Sequence, residues 1–230
     1  MDNLKYKEFY KRNLPHYQPE YGIFVITFRL AFSLPKKIVE TLKKEKEEFE
    51  RNISILKGKK LQDHKNMFGR KYFETFDTFL DKYSKSPMWL SIDSIAIKVK
   101  ESLHFMDNKM YELFAYCIMP NHVHLMIKPL RKSINIVYSL ANIMYSLKRF
   151  TANKCNRLLE RKGQFWHNES YDHCIRDDKD FEYQLCYLLN NPIKAKLIDE
   201  TKMWKHSWIS DDIKVNRDSD LEKTSSTAEC

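Results

Sequence analysis

Two histidines, His122 and His124, stand two residues apart in the run His122-Val123-His124-Leu125-Met126-Ile127-Lys128. The alternation and the aliphatic content read as a strand, so both imidazoles project from one face, roughly 7 Å apart along the backbone. Val123 and Leu125 turn the other way, into apolar packing. Imidazoles at this spacing can share one metal ion if a third donor arrives from elsewhere in the chain. The same pattern also occurs on half-exposed strands that hold no ion, so the pair needs support from a second segment. Tyr183, Tyr187 and Asn191 recur at i, i+4 and i+8 and share one face of a helix read from Asp178 to Asn191. The amide oxygen of Asn191 has the chemistry to complete a hard-ion site, with Tyr187 one helical turn back. A tyrosine on a helix ordinarily serves packing, so a role for Tyr187 rests on what accompanies it.

The elements that position these residues follow from pattern and punctuation. Tyr21–Leu30 is β-branched and aromatic throughout and reads as the first strand. Pro35 opens a helix through Ile38, Leu42 and Phe49 to about Leu56, and its run Lys43–Glu48 reads as a solvated face. In 58–100, Phe73, Phe76, Phe79 and Leu80 keep helical spacing, and Ile92, Ile95 and Ile97 lead into a helix ending near Leu103. No Gly/Ser linker flanks this stretch, so it reads as an elaboration docked on the same core. Tyr111–Met119 is a strand joined to the histidine strand by the turn dipeptide Pro120-Asn121. Such a tight connection permits only antiparallel pairing, which excludes a doubly wound parallel sheet. Ile134–Asn156 reads as a long helix with Leu140, Ile143, Met144, Leu147 and Phe150 inward. Gln164–Ile175 reads as an edge strand and loop. Asp177-Asp178 caps the tyrosine helix, and Asn191-Pro192 stops it. The expected class is α+β: a ferredoxin-like sandwich, an antiparallel sheet with helices packed on one face, plus a helical insertion. Residues 1–20 read as an N-terminal arm, 21–210 as one domain, and 211–230 as a disordered tail poor in apolar residues.

Composition narrows the function classes. Hydrophobic residues at 43% and aromatics at 13% suffice for a core, and no apolar run approaches the twenty residues of a membrane span. Met1–Lys7 is polar and carries no signal peptide pattern. Five scattered cysteines, none at C-x-x-C spacing, argue against a disulfide framework or a thiolate zinc site and for a reduced, cytoplasmic protein. Forty Lys and Arg against 31 Asp and Glu give a net charge of +9, which suits a polyanion. Lys128, Arg131 and Lys132 follow the histidine strand, and Lys148, Arg149, Lys154 and Arg157 lie on the next helix. Together they read as a basic track able to follow a phosphate backbone.

Three ordered blocks give the chain a resemblance. Met119-Pro120-Asn121-His122-Val123-His124-Leu125 resembles the His-hydrophobic-His signature of single-tyrosine HUH transposases. Phe165–Asp177 is similar to their second block, and Tyr187-Leu188-Leu189-Asn190-Asn191-Pro192 to the third. The subgroup most resembled is the REP-associated tyrosine transposases; Trp204 and Ser207-Trp208 echo its terminal motif, with Lys205 where proline is usual. The resemblance spans roughly Tyr21–Trp208 and is weakest over 58–100. It implies a ferredoxin-like fold, His122 and His124 as metal ligands, Asn191 as the third ligand and Tyr187 as nucleophile. Tyr183 is the rival for that last role, and His173, inside the second block, is a supporting residue. Mg²⁺ or Mn²⁺ is the implied cofactor, with single-stranded or hairpin DNA as partner, no membrane, and a monomer or homodimer as the assembly. The implied activity is cleavage and rejoining of single-stranded DNA through a 5′-phosphotyrosine; the alternative is a domesticated, non-catalytic hairpin-binding protein. Tyrosine suits reversible strand exchange because a phenol, with pKa about 10, leaves more readily than an alkyl alcohol.

Overall fold

The computed structural model describes residues 9–11, 15–17, 19, 21–53, 71, 74–83, 86–134 and 136–213. Its centre is a five-stranded antiparallel sheet ordered β8-β3-β5-β4-β9, formed by β3 (Phe24–Leu30), β4 (Tyr111–Ile118), β5 (His122–Pro129), β8 (Trp166–Cys174) and β9 (Ser207–Ile209). The helices are α1 (Lys36–Ile53), α2 (residues 74–82), α3 (Asp93–Met106), α4 (Leu140–Leu158) and α5 (Asp178–Lys194). Two short hairpins, β1 (Phe9–Lys11) with β2 (Pro15–Tyr17) and β6 (Arg131–Ser133) with β7 (Ile136–Val137), and a 3₁₀ turn Trp89–Ser91 are the other named elements. Reduced to β3-α3-β4-β5-α4-β8, the strand order is that of a ferredoxin-like sandwich, as expected.

The histidine strand β5 lies mid-sheet. It pairs with β3 from Phe24↔Ile127 to Arg29↔His122, and with β4 from Tyr111↔Pro129 to Ile118↔Val123. Side-chain alternation sorts its residues between two cores. Val123, Leu125 and Ile127 join Phe24, Ile26 and Phe28 of β3 against α3 and α4. Met126 joins Val25, Ala115 and Cys117 against Leu185 and Leu188 of α5. His122 and His124 share the parity of Met126 and therefore face the α5 side.

This corrects the expectation that helices cover one face. All seven residues of β3 are buried, so each face carries apolar side chains that must be covered. The α3/α4 pair does this on one side and α5 on the other.

Several boundaries also move. The turn between β4 and β5 is closed by Met119 N donating to the His122 carbonyl at 2.9 Å. The long helix begins at Leu140 rather than Ile134, because Arg131–Ser133 and Ile136–Val137 pair as the strands β6 and β7. Its inward stripe is Leu140, Ile143, Met144, Leu147, Thr151 and Cys155; Phe150 is 53% exposed, with the Lys154 ammonium 5.6 Å from its ring centre. Asp177 caps α5 by accepting from Asp180 N at 2.8 Å, as read from the sequence. However, α5 runs through Pro192 to Lys194 instead of stopping at Asn191. Proline lacks only the one N–H that would reach the Leu188 carbonyl, and Ala195 N→Asn191 O at 2.9 Å carries the helix past it. Of the tail expected from 211 onward, Ile213 is buried in the α5-side core. Residues 214–230 and most of 54–73 lie outside the described residues.

Candidate active site

The two imidazoles converge. Strand parity aims both rings the same way, and neighbouring side chains then fix each ring through its Nδ1. Asn121 Oδ1 lies 2.6 Å from His122 Nδ1, while Asn121 Nδ2 donates to the Leu80 carbonyl and to Ser86 Oγ, both at 2.8 Å. Those two acceptors orient the amide, so its oxygen faces His122. An amide oxygen only accepts, which places the proton on His122 Nδ1 and leaves the Nε2 lone pair free for a ligand. His124 Nδ1 is 2.8 Å from Thr27 Oγ1 on the adjoining strand, a hydroxyl able to donate or accept. The two Nε2 atoms face each other at 2.9 Å. Burial lowers the His122 pKa to about 3, keeping this ring neutral and able to ligate at neutral pH.

A third group completes the cluster, and it comes from α2. Asp77 Oδ1 lies 3.3 Å from Nε2 of both histidines, and its Oδ2 accepts a hydrogen bond from Tyr187 Oη at 2.8 Å. Burial alone would raise the Asp77 carboxyl, but His124, His122 and the Tyr187 hydroxyl together outweigh it and hold the group at about 2. Burial and then the Asp77 charge push the Tyr187 phenol well above its ordinary value. Two buried oxygens in this region, Asp77 Oδ1 and Asn191 Oδ1, have no hydrogen-bonding partner of good geometry. Asp77, His122 and His124 present ligand atoms that all lie within 4.8 Å of one another. Two imidazoles, a carboxylate and underused buried oxygens fit a divalent cation of the kind that takes N and O donors.

Beside Tyr187 opens a cleft of about 580 Å³, lined among others by Tyr183, Asn191, Asp81, Lys82, Lys194 and Lys196. The Lys194 ammonium sits 3.7 Å from the centre of the Tyr187 ring. Burial, then the neighbouring Asp77 charge, raises Asp81 to about 7. The cleft reaches Tyr187 and Asn191, whereas His122, His124 and Asp77 are 0%, 1% and 1% exposed behind them.

The residues singled out from sequence fall into three groups. His122, His124 and Tyr187 are brought to one cluster. Asn191, one turn beyond Tyr187, is buried, donates from Nδ2 to the Tyr187 carbonyl at 3.1 Å and leaves Oδ1 unpartnered. Tyr183 stacks on Tyr187 with ring centres 6.4 Å apart and bonds Glu74, but is 40% exposed. His173 is 2.8 Å from Asp180 Oδ2, tying edge strand β8 to the first turn of α5.

The basic residues are dispersed. Lys128 lies on β5 with the parity of the histidines, and Arg131 and Lys132 lie on β6. Arg131 sits over Tyr21, its guanidinium 5.3 Å from the ring centre. Lys148, Arg149, Lys154 and Arg157 ride on α4, which packs on the sheet face away from the histidines, so they do not flank the site as a track. Lys148 is engaged inside the fold: its ammonium donates to the carbonyls of His167, Asn168 and Glu169 at 2.9–3.2 Å and to Ser170 Oγ at 2.7 Å.

Asp77 escaped the sequence reading. A signal existed: Glu74, Asp77 and Asp81 recur at i, i+3 and i+7, an acidic stripe on a helix whose Leu80 is fully buried. Nothing in the spacing said that this stripe meets a histidine strand more than 40 residues away.

Residues 91–191 match the family model described as Transposase IS200 like. A Haemophilus influenzae protein assigned to the REP-associated tyrosine transposases is 30% identical over 110 residues, 46% of this chain. The match spans 62% of that relative's length. The fold is shared with a REP-associated tyrosine transposase solved bound to a REP hairpin, with a TM-score of 0.50 at 13% identity over 86% of this chain and 82% of the other. The matched segment holds β4, β5, α4, β8 and α5 up to Asn191, and so carries both histidines and Tyr187; over it the chain is similar to the IS200-like transposases and to their REP-associated branch.

Proposed function

We propose that the protein is a transposase acting as a metal-dependent single-strand DNA endonuclease and strand transferase, with Tyr187 as nucleophile. The observation that carries this reading is the placement of the Tyr187 hydroxyl one carboxylate away from the converging imidazoles, all within a single chain. His122 and His124 hold the cation, with the buried Asn191 oxygen as a further donor. A divalent ion held by these residues would supply Lewis-acid polarisation and orientation of a scissile phosphate. Asp77 accepts the hydrogen bond of the phenol and fixes where its oxygen points. Tyr187 attacks phosphorus in line, the P–O3′ bond breaks, and the chain retains the 5′ end as a phosphotyrosine while a 3′-OH departs. A 3′-OH attacking that ester restores a phosphodiester and frees the phenol, so strands are exchanged with no external energy source.

Mn²⁺ and Mg²⁺ are the proposed ions. Two imidazoles with oxygen donors suit Mn²⁺ somewhat better, so stronger activation by Mn²⁺ is expected. Single-stranded or hairpin DNA is the proposed substrate. It enters by the cleft, where Lys82, Lys194 and Lys196 supply positive charge. Lys128, Arg131, Lys132, Arg149, Lys154 and Arg157 are proposed as outlying phosphate contacts, and His173 as a support for α5.

The test uses 5′-labelled and 3′-labelled hairpin DNA with Mn²⁺, resolved on a denaturing gel. Wild type forms a covalent protein–DNA adduct, Tyr183→Phe keeps it, and Tyr187→Phe loses it while still binding DNA. An adduct in Tyr187→Phe removes Tyr187 from the role. Wild-type hairpin binding with no adduct favours the non-catalytic alternative.

A further inference from the structure

We infer that Asp77 is a resident metal ligand of this protein, and that the inserted helix α2 is therefore a structural part of the cation site. The inference rests on the cation proposed above at His122 and His124 and adds the donor that completes it.

Geometry is the first support. Asp77 Oδ1 and the two Nε2 atoms form a triangle with edges of 2.9, 3.3 and 3.3 Å. Ligands bound side by side to one ion, at about 2.0–2.2 Å each, stand roughly 3 Å apart, so three donor atoms already occupy positions that one cation would give them. The lone pair of His122 Nε2 points into this triangle because its other nitrogen is committed to Asn121. The second support is the division of labour within the carboxylate. Oδ2 accepts from Tyr187, whereas Oδ1 is buried and lacks a well-aligned donor. A buried carboxylate oxygen held only by such poorly aligned contacts is costly, and coordination relieves that cost.

The third support is the way α2 is held. The Leu80 carbonyl in the last turn of α2 accepts from Asn121, the residue that orients His122. Asp77 and Leu80 lie three residues apart on the same helix, so one docking contact aims both the carboxylate and, through Asn121, an imidazole. The set of two imidazoles and one carboxylate lowers the net charge of an occupied centre from +2 to +1. It also brings the Tyr187 oxygen to a fixed place relative to the ion, through the second oxygen of the same carboxylate.

Mn²⁺ binding to the full chain without DNA tests this, read by the loss of the free-ion EPR signal, together with hydrogen exchange of the α2 amides. Wild type binds Mn²⁺, and the ion slows exchange over residues 74–82. Asp77→Asn, which keeps the shape of the side chain, binds at least tenfold more weakly and shows no such slowing; Tyr187→Phe retains both effects. Unchanged Mn²⁺ affinity in Asp77→Asn, with His122→Ala still abolishing binding, overturns the assignment and leaves the nuclease reading standing. Mn²⁺ binding by wild type that leaves α2 exchange unaltered overturns the assignment too, as does absence of Mn²⁺ binding. Tight binding and α2 protection without any DNA adduct would sink the nuclease reading alone.

Discussion

Asn121→Ala is the most demanding test of how the imidazole pair is built. Asn121 is 2% exposed and its side chain makes three hydrogen bonds: to His122 Nδ1 at 2.6 Å, and to the Leu80 carbonyl and Ser86 Oγ at 2.8 Å. Truncation leaves the Leu80 carbonyl and the His122 N–H without these partners in the interior. Ser86 is less affected, because its hydroxyl still donates to the Tyr83 carbonyl at 2.9 Å. Two newly orphaned groups at about 1–3 kcal/mol each sum to about 4 kcal/mol, which for a chain of this size lowers Tm by about 12 °C. His122 also loses the acceptor that fixes its tautomer, so Mn²⁺ affinity falls by about 10–100-fold. Thermal unfolding followed by circular dichroism gives the first number, and Mn²⁺ titration well below the new Tm gives the second. A variant that unfolds within 2 °C of wild type and binds Mn²⁺ equally well would refute the claim that Asn121 aims the ring and anchors α2.

Three further outcomes are expected. Leu188→Ala, at a fully buried position of α5 one residue from Tyr187, costs about 3 kcal/mol in urea unfolding by removing a core side chain. Lys148→Met loses its contacts to the 167–170 backbone and Ser170 and destabilises by about 2 kcal/mol, while the salt dependence of DNA binding stays as in wild type. Arg149→Ala, by contrast, leaves Tm unchanged and lowers that salt slope by about one, measured by fluorescence anisotropy across a KCl series; an unchanged slope removes Arg149 from the phosphate contacts.

Local pattern disclosed what local physics determines. The His122/His124 strand, its antiparallel partner and the cap at Asp177 were legible because alternation, a turn dipeptide and a side-chain cap act over a few residues. Ferredoxin-like order followed, since few topologies accommodate that sequence of elements. The number of covered sheet faces was not legible, because apolar strand residues look alike whichever helix buries them. Pro192 misled for a related reason: a proline's cost is weighed against the burial that continues α5, and burial depends on the tertiary structure. Lys148 looked like any other surface cation in sequence; only the fold shows its ammonium enclosed by carbonyls. Asp77 depended on how far the insertion reaches back, which no spacing rule encodes.

The central position of β5 has a consequence for the lifetime of any bound ion. A strand laddered on both sides cannot slide or tilt without breaking two rows of backbone hydrogen bonds at once, so the imidazoles form an immobile wall. Asp77 arrives instead on a helix of about two and a half turns. Opposing donors of such different stiffness would make a vice with one fixed jaw, and the escape of an ion held between them would be set by the breathing of α2, with the sheet undisturbed.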